Sequence, residues 1–274
     1  MARSGGPYGC EHIPFLDMRI RELERTQAQV AKEILGVPMS TANICAQTEL
    51  GFKPIRQVLY EHQLGFFKRL LSMPASRWAH LALMDHINGG WQSVYLAYIT
   101  KIRCETNSVK VFSDKHAITL QLSPYFLKET NSSLETLTLP AVSPVKRYQK
   151  LRYVTENPSS TVLAKFRLAN ADLGNRAPLP GHRRFSSCPL CRGPNCDEVH
   201  LVCQCPSLAS ERRRFGIGRF FGLCGLQGLG IQVSYRYYLE GRDPVGEPIS
   251  LQDYLDRGKA LEQIRKAWWG KLGC

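Results

Sequence analysis

One short run of this chain has the residue types and spacing to close on a metal ion. CPLCRGPNCDEVHLVCQC occupies residues 188–205 and holds five of the ten cysteines. Cys188 and Cys191 form a Cys-x2-Cys pair, a turn short enough to aim two thiolates at one point. His200 and Cys205 follow as a His-x4-Cys pair, with Pro206 next. His200 with Cys203 is a competing x2 pair, and the fourth ligand stays open between Cys205 and Cys203, spacing favouring Cys205. Four protein ligands leave no coordination position for a catalytic water, so the expectation is one structural Zn2+. Free buried thiols or disulfides are the alternative, and disulfides need an oxidising compartment for which nothing in the chain argues. So short a loop cannot bury enough apolar surface to fold alone, whereas zinc supplies about 10–16 kcal/mol of apparent binding energy in small sites.

The second chemical signal is charge. Lys and Arg number 36 against 23 Asp and Glu, a net charge of +13. A balance of that size points to polyanionic partners, nucleic acid first. The excess gathers around the cysteine run. Lys146, Arg147, Lys150, Arg152, Lys165, Arg167, Arg176, Arg183 and Arg184 precede it, opposed only by Glu156 and Asp172, and Arg212–Arg214 follow it. Lys165, Arg167, Arg183, Arg184, Arg192, Arg212, Arg213 and Arg214 are therefore the candidate nucleic-acid-binding residues. Guanidinium groups fixed by a metal loop could grip phosphates bidentately. A solvated basic surface is the plainer reading, and the adjacent metal loop favours binding.

Other chemistries find little support. His12, His62, His80, His86, His116 and His182 are scattered without triad or metal spacing. Gly216-Ile217-Gly218 and Gly228-Leu229-Gly230 are isolated glycine pairs, not phosphate loops. No catalytic residues are expected. The opening MARSGGPYGCEHIPF lacks the apolar core of a secretory signal. No run approaches the roughly 18–20 apolar residues of a membrane helix. A nuclear or cytoplasmic protein with reduced thiols and no membrane partner is expected.

The positioning elements read as mainly α with minor β. Leu16, Ile20, Leu23, Val30 and Ile34 recur at helical spacing, predicting a helix over about 15–35 with these residues in the core. A short helix is expected after Ser40, stopping at Gly51, and a third over about 55–73. A fourth should follow Gly89-Gly90 and carry Trp91, Tyr95, Tyr98 and Ile102. Residues 106–144 read as a loop-rich connector, with a hairpin built from Val109–Phe112 and Ala117–Leu122. Beyond it a helix is expected over Ser160–Asn170 and another over Ser207–Phe215. Ile231, Val233, Tyr235, Tyr237 and Leu239 alternate as a strand would. Ser250 with Asp253 resembles a capping box opening a final helix. The division expected is a helical region over 1–105, the connector over 106–144, and a basic metal-binding region with a C-terminal strand and helix over 145–274.

Several segments, taken in order, resemble a known family. They are Leu23-Glu24-Arg25-Thr26-Gln27, Ile34-Leu35-Gly36-Val37-Pro38 and Glu49-Leu50-Gly51-Phe52-Lys53-Pro54-Ile55. Tyr8-Gly9-Cys10-Glu11 precedes them, and Lys165-Phe166-Arg167-Leu168 and the cysteine–histidine run follow. Together they resemble the region after the polymerase palm in non-LTR (LINE-type) retrotransposon reverse transcriptases, with its C-terminal zinc-binding part. The resemblance implies a thumb-like helical array followed by a zinc-stabilised basic module. It also implies RNA as the favoured nucleic acid, with DNA possible, and a polymerase palm or another retrotransposon protein as partner. In that family the last ligand commonly precedes Pro, which again favours Cys205. The family implies RNA-directed DNA synthesis, but this chain has no Asp-Asp pair to hold catalytic metals, so catalysis by this chain alone is not expected. An accessory role in a polymerase completed by another chain, and a zinc-shaped protein-interaction module, are the two other readings.

Overall fold

The computed structural model describes residues 17–88, 115–137, 148–173 and 185–273. Its elements are α1 (Asp17–Leu35), α2 (Asn43–Glu49), α3 (Ile55–Leu71), α4 (Trp78–Asn88), α5 (Lys115–Glu135) and α6 (Pro158–Arg167). A π-helical turn (His200–Gln204) and a 3-10 turn (Pro206–Leu208) then lead to α7 (Ala209–Arg214), α8 (Ile217–Leu226), α9 (Ile231–Glu240) and α10 (Leu251–Leu272). Among the described residues the one extended pairing is an isolated bridge between Arg242 and Pro248. The mainly helical expectation therefore holds.

Three local expectations fail, each for a physical reason. Residues 231–239 are helical, not a strand. The buried set is Ser234, Tyr235, Tyr238 and Leu239, a helical stripe that includes the tyrosine breaking the apparent alternation. Ala117–Leu122 is likewise helix, not hairpin, so the connector expected over 106–144 contains α5. Phe126, Thr130 and Leu134 make its buried stripe. Two of its hydroxyls bond within the fold: Ser133 Oγ donates to the Glu129 carbonyl at 3.0 Å, and Thr130 Oγ1 meets the Tyr148 hydroxyl at 3.0 Å. Polar composition had read as loop because such side chains also favour turns. In α1 the inner face is Ile20, Ala28, Ala31 and Leu35, while Leu23, Val30 and Ile34 are exposed. A stripe drawn through large apolar residues passes over the alanines that pack. The helix expected around Trp91–Ile102 and the strand expected at Val109–Phe112 lie outside the described residues.

The described chain forms two compact units. One comprises Met1–Gln27, Lys53–Ser133 and Val145–Tyr148. Ile20 and Leu59 are its buried contact, with Ile55 against them. Tyr60 meets Phe126 edge-on at 6.0 Å. Lys53 pairs with Glu61 at 2.9 Å.

The other unit comprises Ala28–Phe52, Leu134–Pro144 and Gln149–Cys274. Its centre is the crossing of α6 and α10. Asn157 caps α6, its Oδ1 accepting from the Ser159 amide at 2.9 Å, with Pro158 at the first helical position. Ser250 opens α10: its Oγ accepts from the Asp253 amide at 3.1 Å and donates to the Asp253 carboxylate at 2.6 Å. Gly258 permits the close crossing, since a Cβ there would stand 2.7 Å from the Ser159 carbonyl oxygen.

A buried charge network closes this unit. Arg167 on α6 pairs with Glu49 on α2 at 3.0 Å, both side chains almost wholly buried. The Tyr153 hydroxyl donates to the same carboxylate. Arg167 Nη1 also donates to the Leu239 carbonyl at 2.9 Å, which accepts from the Tyr254 hydroxyl as well. Burial works against the Arg167 charge, but Glu49 and the two tyrosines outweigh it and hold its pKa above the ordinary value. Gly51 makes the approach possible. It has φ +64°, and a Cβ would fall 2.0 Å from the Gln149 carbonyl carbon.

Candidate metal centre

Within 188–205 the chain folds so that four donors converge. The Arg192 amide donates to the Cys188 carbonyl at 2.7 Å and the Cys188 amide to the Gly193 carbonyl at 2.9 Å. This turn needs Arg192 at φ 61°, in the left-handed region. The Gly193 amide then donates to Cys191 Sγ at 3.4 Å. A Cβ on Gly193 would sit 3.2 Å from both Cys191 Sγ and His200 Cε1, tight against two of the donors. On the other side, Asp197 Oδ1 accepts from the His200 amide at 2.7 Å and starts the second element. The Cys205 amide reaches the His200 carbonyl at 2.7 Å, an i→i+5 bond that makes this a π turn. Ser207 Oγ ties the two halves by donating to the Leu190 carbonyl at 2.9 Å.

The outcome is a cluster of Cys188, Cys191, His200 and Cys205 whose ligand atoms all lie within 4.8 Å of one another. Cys188 and Cys205 Sγ are 3.8 Å apart, and Cys191 Sγ is 3.2 Å from His200 Nε2. A tetrahedral ion with metal–sulfur bonds of about 2.3 Å has sulfur–sulfur edges of about 3.8 Å and sulfur–nitrogen edges of about 3.6 Å. The donors are thus set for one small ion, which could hold four protein ligands and no open position. Of the two candidates for the fourth ligand, it is Cys205 that lies with the other three donors. The π turn places His200 and Cys205 on one side of the element, and Cys203 is outside the cluster.

The electrostatics set Cys191 apart from Cys205, Cys196 and Cys203. The Gly193 amide, outweighing partial burial, draws the Cys191 pKa below the ordinary thiol value. Burial pushes Cys205 up to about 11 and Cys196 up to about 12, with Cys188 adding to both. Burial also raises Cys203, while Arg212 opposes it.

The loop is not isolated. Leu201, Val202 and Leu208 are fully buried beneath it. Lys271 of α10 pairs with Glu211 at 3.0 Å and donates to the Ser207 carbonyl at 2.5 Å. Phe185 packs edge-on against the fully buried Trp268 at 6.1 Å.

The eight basic candidates divide. Arg167 is consumed inside the protein by Glu49, so it is no phosphate contact but a structural centre. Arg212 is buried and aims Nη1 at the Leu201 carbonyl, 3.4 Å away. Burial lowers its pKa, and the Cys205 and Cys203 groups oppose that shift. Its guanidinium is therefore turned to the interior rather than to solvent. Arg192, Arg213 and Arg214 are exposed, and Lys165 is half-buried. Arg183 and Arg184 lie outside the described residues. Sequence reasoning missed the buried partners Glu49 and Tyr153, which stand far from Arg167 in the chain and carry no local signal.

No helix among the described residues is long and apolar enough to cross a membrane. In comparisons with known proteins, no family model, curated protein or solved structure matches this chain.

Proposed function

We propose that this chain is a zinc-stabilised nucleic-acid-binding fragment of a non-LTR retrotransposon reverse transcriptase, with RNA favoured and without catalysis of its own. The observation that carries the reading is the four-donor cluster in a chain of net charge +13. Three thiolates and one imidazole are a soft-to-borderline set that suits Zn2+, and four protein ligands suit a structural ion. Arg192 sits inside the metal loop, and Arg213 and Arg214 stand on the helix that follows it, all three exposed. An ion that fixes the loop fixes these cations for contact with phosphates. Two segments of the family resemblance, Glu49-Leu-Gly-Phe and Lys165-Phe-Arg167-Leu, meet through the Glu49–Arg167 pair, which supports treating them as parts of one unit.

The test is binding of a labelled single-stranded RNA by the full chain at about 50 and about 300 mM salt. Phosphate-dominated contact predicts a loss of at least about tenfold across that range. Arg213→Glu with Arg214→Glu should weaken binding at the lower salt while leaving the fold intact, because neither side chain is buried. Equal affinity at both salts contradicts the reading, and unaltered binding in the double variant removes these arginines from it.

A further inference from the structure

On one face of α10 an open groove is lined by Arg265, Lys266, Trp269 and Gly270. Neighbouring tryptophans play opposite parts there. Trp268 is fully buried, whereas Trp269 is half-buried and lines the groove. The Trp269 ring is held in place: its Nε1–H donates to the Asp172 carbonyl at 3.1 Å, and it meets Trp268 edge-on at 5.0 Å. Gly270 has nothing within 4 Å of where a Cβ would be, so the groove stays wide beside the indole.

The charged residues that line this groove are Arg265 and Lys266. Arg265 holds Glu262 bidentately at 2.8 and 2.7 Å. Arg265, Lys266 and Lys165 all act on the Glu262 carboxylate and hold it below its ordinary pKa, its bond to Arg265 contributing most. Asp172 is the other carboxylate acting on Arg265. Arg265 is thus occupied by Glu262, while Lys266 is exposed at the groove.

We propose that this groove holds one nucleotide of an unpaired strand, its base stacked on the Trp269 indole and its phosphate at the Lys266 ammonium. The inference rests on the nucleic-acid reading above and adds a second contact region to it, on the α6–α10 face rather than on the metal loop. A preorganised aromatic plane beside a cation suits a base with its phosphate. An acidic peptide would use the cations but not the flat ring, and a duplex hides its base faces.

The test uses the full chain and a fluorescein-labelled single strand of about 12 uridines, a length that suits stacking platforms. Trp269→Ala should weaken binding about tenfold or more, and Trp269→Phe should restore most of it. Both variants lose the hydrogen bond to Asp172, so recovery with Phe separates stacking from a structural role. Lys266→Ala should lower the salt slope by about one. Affinity for duplex RNA should not depend on Trp269. If wild type binds the single strand with salt dependence and Trp269→Ala binds equally well, the groove proposal is overturned and the nucleic-acid reading stands. If wild type binds no nucleic acid, both are overturned. Equal dependence on Trp269 for a polyglutamate peptide would overturn the assignment to a nucleotide.

Discussion

Two polar centres lie in the unit that contains α6 and α10, and they are built on opposite plans. The Glu49–Arg167 centre is complete within the protein: each charge meets its opposite, and Tyr153, Tyr254 and the Leu239 carbonyl take the remaining bonds. The cysteine–histidine cluster instead gathers four potential metal donors within 4.8 Å of one another. The first centre stabilises a tertiary junction without help. The second is a donor set that one metal ion could complete. Basic residues follow the same division, since Arg167 and Arg212 serve the interior while Arg192, Arg213, Arg214 and Lys266 face solvent.

The largest expected effect comes from taking the ion away. Chelation should cost on the order of 10 kcal/mol of local binding energy and abolish hydrogen-exchange protection over 185–215, while α6 and α10 keep theirs. The sign with pH follows from the thiols. Cys205 is pushed up to about 11 by burial, so the empty site holds protons at neutral pH that the ion must displace. Apparent metal affinity should therefore rise with pH. Loss of all helical signal on chelation would break the contrast, because it would make the ion the support of the whole unit.

A smaller effect tests the other centre. Glu49→Ala leaves the Arg167 charge buried and unpaired, which costs about 3–5 kcal/mol in denaturant unfolding. Glu49→Leu combined with Arg167→Met should be milder than either single change, since no charge is then stranded. Metal content should stay unchanged in all of these variants. A metal content that fell with Glu49→Ala would show the two centres to be one cooperative structure and erase the distinction between them.

Legibility in the sequence tracked how local each determinant is. The four-donor cluster is local, and its members are readable from spacing, which favours Cys205 over Cys203. The reason behind that choice, the π turn between His200 and Cys205, was not readable, because it depends on the Asp197 cap and the packing of Leu201 and Val202. Helices with caps at their ends, α6 and α10, were placed within a few residues. α8 was passed over because Gly218, Gly222 and Gly225 disfavour helix, each by about 1 kcal/mol, yet Ile217, Phe220 and Cys224 bury one face of it. α9 was misread because β-branched and aromatic residues imitate a strand until burial chooses the period. Arg167 was misassigned because its partner stands 118 residues earlier, where composition gives no hint of it.

The most direct test of the account is metal per chain by elemental analysis for wild type, Cys205→Ala and Cys203→Ala. The account predicts one zinc in wild type, one in Cys203→Ala and none tightly held in Cys205→Ala. A folded wild type without zinc, or loss of the ion with Cys203→Ala alone, would contradict it.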